Sequence, residues 1–449
     1  MAREIAQDEG FSLDMEGFQR AMEQQRKMAR QAWKGTGEEE TRPIHQELAR
    51  EIGETPFLGY ETVEAKARVS ALLVSEQRRR EVGPEEEVEI ILDCSSFYGK
   101  SGGQEGDTGS LVDEEGKLLV KVTDTLKPLP QLICHRGVVL KGNLQEEQML
   151  LTRVDVPRRQ AITHSHSATH LLHGALRQVL GDHVKQAGSL VAPDRLRFDF
   201  THFSPLVLRE LGEIEAMVNE KIWENLSIST EVLPLKEAVQ RGAMALFGEK
   251  YETMVRMVRM GDFSLEVCGG THASNTGQIG LFKIIQETGI AAGVRRIEAL
   301  TTQEAYRYIR QEEAVLGEIR EITKAKPLQE AERVHRLWEQ TREQGKELAS
   351  LKDKLASRAV DLVGGGNETE EEVRTVKGIR VLSVRLDHLD TSSLRSFVDN
   401  AKVRLGSGVI VAGMVVDHKV ALVGGVTEDI TARVHAGKLI KAVAQVVGG

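Results

Sequence analysis

Cysteine is scarce in this sequence. The 449 residues hold three, Cys94, Cys134 and Cys268, and three cannot all pair within one chain. That excludes a disulfide-stapled fold and predicts a reduced protein in which any special cysteine serves a metal or chemistry. Long apolar runs are missing too. No stretch of about 18 apolar residues occurs, so there is no candidate membrane-spanning helix. The opening MAREIAQDEGF lacks the apolar core of a secretory signal. The expectation is a soluble, cytoplasmic protein without a membrane partner. Basic charge is not in excess either. A net charge of −9 excludes a chain that is basic all over, though not a local nucleic-acid surface. No long internal repeat is present.

What is there suits a multidomain globular protein. Apolar residues make up 40% and charged residues 28%, the balance of a folded chain. At roughly 100–200 residues per domain, the length calls for two to four units. The texture predicts an α+β multidomain chain of five segments. Residues 1–50 read as a helical piece. Over 12–35, Phe18, Met22 and Met28 form a helical stripe, with Ser12 or Asp14 as N-cap and Gly35 as stop. Residues 51–152 carry β-branched runs such as VEIILDCS split by Gly and Asp turns, which predicts a small β-barrel. Within it, FYGKSGGQEGDTG (97–109) is too glycine-rich for a regular strand.

Residues 153–301 mix helices and strands in a two-layer α/β core. Residues 302–363 are charge-rich and helical, broken at Pro327. After it, Leu337, Thr341, Gln344, Leu348, Leu351 and Leu355 space out as an impure coiled-coil seam, expected to close as a hairpin on the preceding helix. GGGNETEEE (364–372) reads as a linker, and the remainder of 364–449 as a small α/β domain. Three local basic spots, VPRRQ (156–160), GVRRIEA (293–299) and NAKVRLGSG (400–408), read individually as ordinary solvated faces. In the last, Lys402 and Arg404 are candidates to meet phosphates.

The chemistry gathers in two short stretches. HSHSATHLLH (164–173) holds four histidines, and residues four apart on a helix share a face. His166 and His170 can therefore reach one ion. His173 lies near the same face and His164 starts the helix, so spacing alone leaves rivals to that pair. CGGTH (268–272) does not suit a helix interior, because two adjacent glycines disfavour one. A tight loop there can wrap a metal between Cys268 and His272. Two helical His, a Cys and a further His give tetrahedral N/S ligation, the preference of Zn²⁺.

The stretch from HSATHLLHGALRQVLGDHVKQAGSLVAPDRLRFDFTH to CGGTHASNTGQIGLFKI and GVRRIEA closely resembles the editing domain of alanyl-tRNA synthetases. SSFYGKSGGQEGDTG resembles the glycine motif of that domain's barrel, and TPFLGYETVEAKARV, the helical spacer and the final α/β domain extend the match over almost the whole chain. The resemblance implies that His166, His170, Cys268 and His272 hold Zn²⁺. It implies an esterase acting on seryl- and glycyl-tRNA(Ala), with pocket positions at Thr169, Gln186, Ser189 and Arg295, and with Gly102, Gly103 and Gln104 bordering the substrate site. It implies a tRNA-binding C-terminal domain that also serves homodimerisation.

Two departures from the family pattern stand out. Ser95 and Ser96 replace a Thr-Pro pair, which is expected to loosen the loop before Phe97. The chain stops at AVAQVVGG, before the family's usual tail. The resemblance is to the C-terminal half, without the class II aminoacylation core. The expectation is a split subunit partnered by a separate class II catalytic subunit, a free-standing editor, or a portion of a longer chain. The alternative function is a non-catalytic tRNA-binding subunit with a structural zinc.

Overall fold

In the computed structural model, the described residues are Gly17, 42–115, 118–245, 253–362, 372–386, 391–416 and 419–446. Apart from Gly17 and Glu372, the expected helix over 12–35 and linker over 364–372 lie outside them. The chain forms two compact units, residues 1–313 and 314–449.

In the first unit, helix α1 (Pro43–Ile52) begins with proline in its first turn, where the ring needs no hydrogen-bond donor. Six antiparallel strands follow: β1 (Glu64–Val74), β2 (Glu87–Leu92), β3 (Gly109–Val112), β4 (Leu118–Leu129), β5 (Leu132–Val139) and β6 (Met149–Val154). Their order is β1-β2-β5-β4-β3-β6, and β6 pairs back onto β1, closing a barrel, with a short strand, Gln77–Arg79, added beside the end of β1. Strand alternation dictates the filling. Val88, Ile90 and Leu92 point inward with Val120 and Val122, while Ile91, between them, joins Leu132 and Cys134 beneath Leu48 and Ala49 of α1. Helix α1 thus belongs to the barrel, and it runs through the boundary expected at 50/51. The boundary expected at 152/153 falls inside β6.

The core that follows is two-layered. Helices α2 (Val156–Leu180) and α3 (Leu208–Trp223) cover a four-stranded sheet. The strands are β7 (Gln186–Val191), β8 (Leu196–Thr201), β12 (Phe282–Ala291) and β13 (Val294–Thr301), in the order β7-β8-β13-β12. Between them in sequence lies a three-stranded sheet of β9 (Ile228–Pro234), β10 (Met254–Met260) and β11 (Ser264–Val267). Leu171, Leu172 and Leu176 of α2 pack with Ile214, Val218 and Ile222 of α3 on Phe198, Phe200, Ile297 and Ala299 of the sheet. Each such side chain contributes roughly 1.5–3 kcal/mol on burial.

Helix α2 is capped by Asp155, whose carboxylate accepts from the Arg158 backbone N–H at 3.2 Å, and ends at Gly181, φ +112°. Every residue from Ser165 to Leu176 is buried. A helix buried all round normally carries apolar residues, but this one carries three histidines, two serines and a threonine there.

Helix α4 (Thr302–Thr323) passes out of the first unit. In the second, α5 (Glu330–Leu362) follows a turn held by Arg333, which donates to the Thr323 carbonyl at 2.9 Å. Residues 341–350 are exposed throughout, so Thr341, Gln344 and Leu348 of the expected seam face solvent rather than a partner in this chain. The last domain is a sheet of β14 (Glu372–Val376), β15 (Ile379–Arg385), β16 (Val409–Val416) and β17 (Lys419–Val426). Strands β15 and β16 are parallel, joined through α6 (Thr391–Leu405), and α7 (Ala436–Val446) follows. Leu394, Phe397, Val398 and Ala401 of α6 pack on Leu382, Ile410 and Ala412. No described helix is long and apolar enough to cross a membrane.

Candidate metal centre

The four residues singled out by spacing converge. The ligand atoms of His166, His170, Cys268 and His272 lie within 4.8 Å of one another. His166 Nε2 is 3.3 Å and His272 Nε2 is 3.4 Å from Cys268 Sγ. Helix α2 supplies the first pair. The loop leaving β11 supplies the second, and it wraps tightly because Gly270 has no side chain. A Cβ there would lie 2.0 Å from His166 Cε1. His164 turns away to Thr302 Oγ1, at 3.3 Å, and it and His173 stand outside the cluster.

Each imidazole is aimed by a partner on its other nitrogen. Gln104 Oε1 accepts from the Thr271 backbone N–H at 3.0 Å, which fixes its amide orientation. The same oxygen lies 2.7 Å from His166 Nδ1, which must therefore carry the proton and leave Nε2 as the ligand atom. His170 Nδ1 meets the Glu266 carboxylate at 3.0 Å, and His272 Nδ1 meets Ser167 Oγ at 3.3 Å. Such outer partners are the usual orienting groups of histidine metal ligands.

His170 Nε2 is buried with no hydrogen-bond partner. An orphaned buried nitrogen among three other converging donors fits a divalent cation with N/S preference, Zn²⁺ above all. The electrostatics agree. Burial opposes charge on His170, but Glu266 and then Cys268 raise it to about 10. Burial also opposes the Cys268 thiolate, yet the three histidines hold it well below the ordinary thiol value. His272 is pushed down to about 3, chiefly by burial and then by His166.

The remaining expected site residues divide. Gly102 and Gly103, with φ +57° and +81°, turn the barrel loop onto β7. The Gly103 carbonyl accepts from Val191 N at 2.7 Å, and a Cβ on Gly103 would lie 2.4 Å from Ser189 Oγ. Gln104, expected to border substrate, is instead fully buried, with its amide spent on His166 and Thr271. Thr169 donates its hydroxyl to the Ser165 carbonyl at 2.8 Å, leaving only lone pairs to offer. Gln186 donates to Ser189 Oγ at 3.3 Å.

Gln186 shares a row across the sheet with Phe200 and Arg295. The strand bulges between Gln186 and Gly188. Arg295 donates to Glu287 at 2.5 Å. Neither Gln186 nor Arg295 is among the four converging donors. Lys402 pairs with Asp399 at 2.5 Å; it and Arg404 close helix α6 in the other unit. In the VPRRQ spot Val156, Pro157 and Gln160 are exposed, but the charge of Arg159 is not. Arg159 is buried, pairs with Asp107 and donates to the carbonyls of Gly59 and Ser96 at 2.9 Å each, clamping α2 to the barrel.

Sequence reasoning missed several residues. Glu266, Ser167, Thr271 and Thr163 surround the ligands. Tyr60 donates to the Gly269 carbonyl at 2.6 Å, and Arg256, 4.3 Å over the Tyr60 ring, donates to the Gly270 carbonyl at 2.8 Å. Glu266 stands two residues before Cys268 and Ser167 one after His166; adjacency to ligands was the only signal available. The loosened loop is also corrected. Ser95 Oγ donates to His135 Nε2 at 2.7 Å and Ser96 Oγ meets Thr152 Oγ1 at 2.7 Å, both fully buried, so the two hydroxyls pin the segment before Phe97.

Residues 1–158 match the family model described as tRNA synthetases class II (A), and residues 255–298 match the Threonyl and Alanyl tRNA synthetase second additional domain. The first match spans the stretch expected to lack a class II core, so the comparison does not carry that expectation. The chain is 43% identical over 451 residues to an alanine–tRNA ligase of Pelotomaculum thermopropionicum, covering 100% of this chain and 50% of that protein. It is 42% identical over 446 residues to one of Solibacter usitatus, with 99% and 50% covered. An alanine–tRNA ligase of Desulforamulus reducens is 43% identical over 452 residues, again with 100% and 50% covered. The chain spans about half the length of the curated relatives it matches.

Proposed function

We propose that this chain, which belongs to the alanyl-tRNA synthetase family, hydrolyses the ester of seryl- and glycyl-tRNA(Ala) at the His166–His170–Cys268–His272 centre and largely spares alanyl-tRNA(Ala). The observation that carries the reading is the convergence of four N/S donors, one of them an unpartnered buried nitrogen, two on a buried but polar helix and two on a tight loop. Zn²⁺ bound there supplies Lewis-acid polarisation of an ester carbonyl.

The chain's own groups supply discrimination. A pocket selecting alanine cannot strongly reject glycine, since one methyl is worth about 1–3 kcal/mol. A second, hydrolytic site solves this, and serine's hydroxyl gives it a handle. Gln104 Nε2 donates to Thr271 Oγ1 at 2.9 Å, and Thr271 Oγ1 lies 3.2 Å from Thr163 Oγ1. Because Thr271 accepts from the amide, its hydrogen is free for Thr163, and the half-exposed Thr163 hydroxyl is left to address a substrate hydroxyl. Thr169 offers lone pairs one helical turn and a half away. Alanine leaves such groups unpaired, at about 1–3 kcal/mol each. Glycine has no handle, and its removal rests on excluding the alanine methyl. Gln186, Ser189 and Arg295 are assigned to the approach of the tRNA end rather than to the metal. Lys402 and Arg404 are assigned to phosphate contact in the C-terminal domain.

The test is a deacylation time course on the three pre-charged tRNAs with zinc-loaded protein and a free-zinc control. Seryl-tRNA should decay fastest, glycyl-tRNA more slowly, and alanyl-tRNA near its spontaneous rate. Seryl-tRNA decay at the spontaneous rate, in folded and zinc-loaded protein, would sink the enzyme reading. It would favour the alternative that four protein ligands already suggest, a closed structural zinc in a tRNA-binding subunit. Charging is not assigned to this chain, because the described residues from 43 to 158 are taken up by α1, the barrel with its loops and the start of α2. Alanine-dependent ATP–pyrophosphate exchange by the chain alone would overturn that assignment and remove the need for a separate class II subunit.

A further inference from the structure

We propose that Glu266 and His173 form a positioning pair that sets the metal affinity of the centre through His170. The proposal rests on the reading of the four-residue cluster as a zinc site. Glu266 is buried, its side chain 6% exposed, and both of its oxygens are committed. Oε2 faces His170 Nδ1 at 3.0 Å. Oε1 faces His173 Nδ1 at 3.1 Å and accepts from Ser264 Oγ at 3.1 Å. A carboxylate can only accept, so both imidazoles present an N–H to it. For His170 that leaves Nε2 as the ligand atom, aimed at the cluster.

His173 is the helical histidine that spacing offered as a rival ligand. It sits three residues beyond His170, buried beside Phe198 with ring centroids 5.3 Å apart. Rather than joining the four donors, it holds the far oxygen of the carboxylate that orients one of them. Glu266 belongs to β11 and His170 to α2. The carboxylate therefore ties the helix carrying the first ligand pair to the strand that delivers Cys268 two residues later.

The charge count gives the pair a second task. Three neutral imidazoles and one thiolate leave a divalent ion with a net positive charge in a buried place. Glu266 is the anion that cancels it, and an uncancelled buried charge is costly. His173 and Ser264 prevent that carboxylate from rotating out of line.

The test measures Zn²⁺ affinity of the full chain by competition with a chromophoric chelator, together with the absorption spectrum of the Co²⁺-substituted protein. Glu266→Gln should weaken Zn²⁺ binding about 10–100-fold and shift the Co²⁺ bands. His173→Leu should weaken it by roughly tenfold or less, and His173→Asn, which keeps a donor at the Nδ1 position, should restore most of the loss. The double variant Glu266→Gln/His173→Leu should bind no more weakly than Glu266→Gln alone, because His173 acts only through the carboxylate. Wild-type affinity in folded Glu266→Gln overturns the proposal, and an additive double variant overturns the role of His173. If Glu266→Gln fails to fold, Ser264→Ala and His173→Asn replace it. Wild-type affinity and Co²⁺ spectrum in Ser264→Ala together with no difference between His173→Leu and His173→Asn then overturns it. A wild-type chain that binds no Zn²⁺ overturns the zinc reading and this proposal with it.

Discussion

Two buried imidazoles, His135 in the barrel and His170 on α2, show how one side chain serves opposite ends. Both are enclosed and both use Nδ1 in a hydrogen bond. His135 donates from Nδ1 to the Ile90 carbonyl at 3.0 Å and accepts at Nε2 from Ser95. Its partners are neutral, both nitrogens are satisfied, and burial pushes it down to about 4. His170 faces a carboxylate on one side and leaves the other nitrogen without a partner, and despite burial it is raised to about 10. Burial depth therefore does not separate a structural histidine from a ligand. A carboxylate partner and an unsatisfied second nitrogen do not suffice either, since His173 faces Glu266 and also has a buried, unpartnered Nε2; convergence with other donor atoms singles out His170.

Removing one member of each network sharpens the contrast. Cys268→Ala should lower zinc affinity by more than about 100-fold, beyond the loss typical of an outer partner, and His166→Ala should bring seryl- and glycyl-tRNA decay down to the spontaneous rate. Metal analysis and the deacylation assay read both; unchanged zinc in Cys268→Ala would break the comparison. His135→Ala should leave zinc content untouched. It should destabilise the chain by roughly 2–4 kcal/mol, from a cavity plus an unpaired Ser95 hydroxyl and Ile90 carbonyl. Denaturant titration with zinc held constant checks it.

Acid should separate the two as well. The folded pKa of His135, about 4, lies below the ordinary 6.5. Its contribution is therefore complete above pH 6.5 and is lost as pH falls towards 4, at a cost of up to roughly 3 kcal/mol. Glu89, held at about 2 by His45, Arg42 and Arg136 against the pull of burial, loses its contribution only below about pH 4.5. His135→Phe should flatten the stability profile in the upper window alone, as read by denaturation at half-unit pH steps. The smallest expected effects come from two adjacent glycines. Gly270→Ala should weaken zinc binding about tenfold by displacing His166, by analogy with loss of an orienting contact. Gly269→Ala should change it less than about twofold, because a Cβ there meets nothing within 4 Å. Equal losses would mean that loop stiffness rather than contact with His166 is at stake.

Much of the fold was legible because its signals are local. The alternation of Val88, Ile90 and Leu92 announces a strand, and the apolar residues of α2 announce a helix. The ligand pairs were legible because spacing four brings side chains together on a helix or round a loop. Their supports were not. Gln104 reaches His166 across 62 residues of sequence, and His173 meets Glu266 across 93; no periodicity encodes such meetings. Arg159 looked like surface charge because its partner, Asp107, lies 52 residues upstream. Ser95 and Ser96 looked like weak substitutes because a hydroxyl's worth depends on the buried acceptor opposite it, His135 or Thr152.

The amide of Gln104 has a consequence for inheritance. It sits in a barrel loop that pairs with Val191 of the core, and it dictates which nitrogen of His166 is bare. An exchange of genetic material between the barrel and α2 would leave the His166 imidazole without its guide wherever the incoming barrel lacked that glutamine. Barrel and core are therefore exchangeable only where the incoming barrel carries its own amide at the place of Gln104.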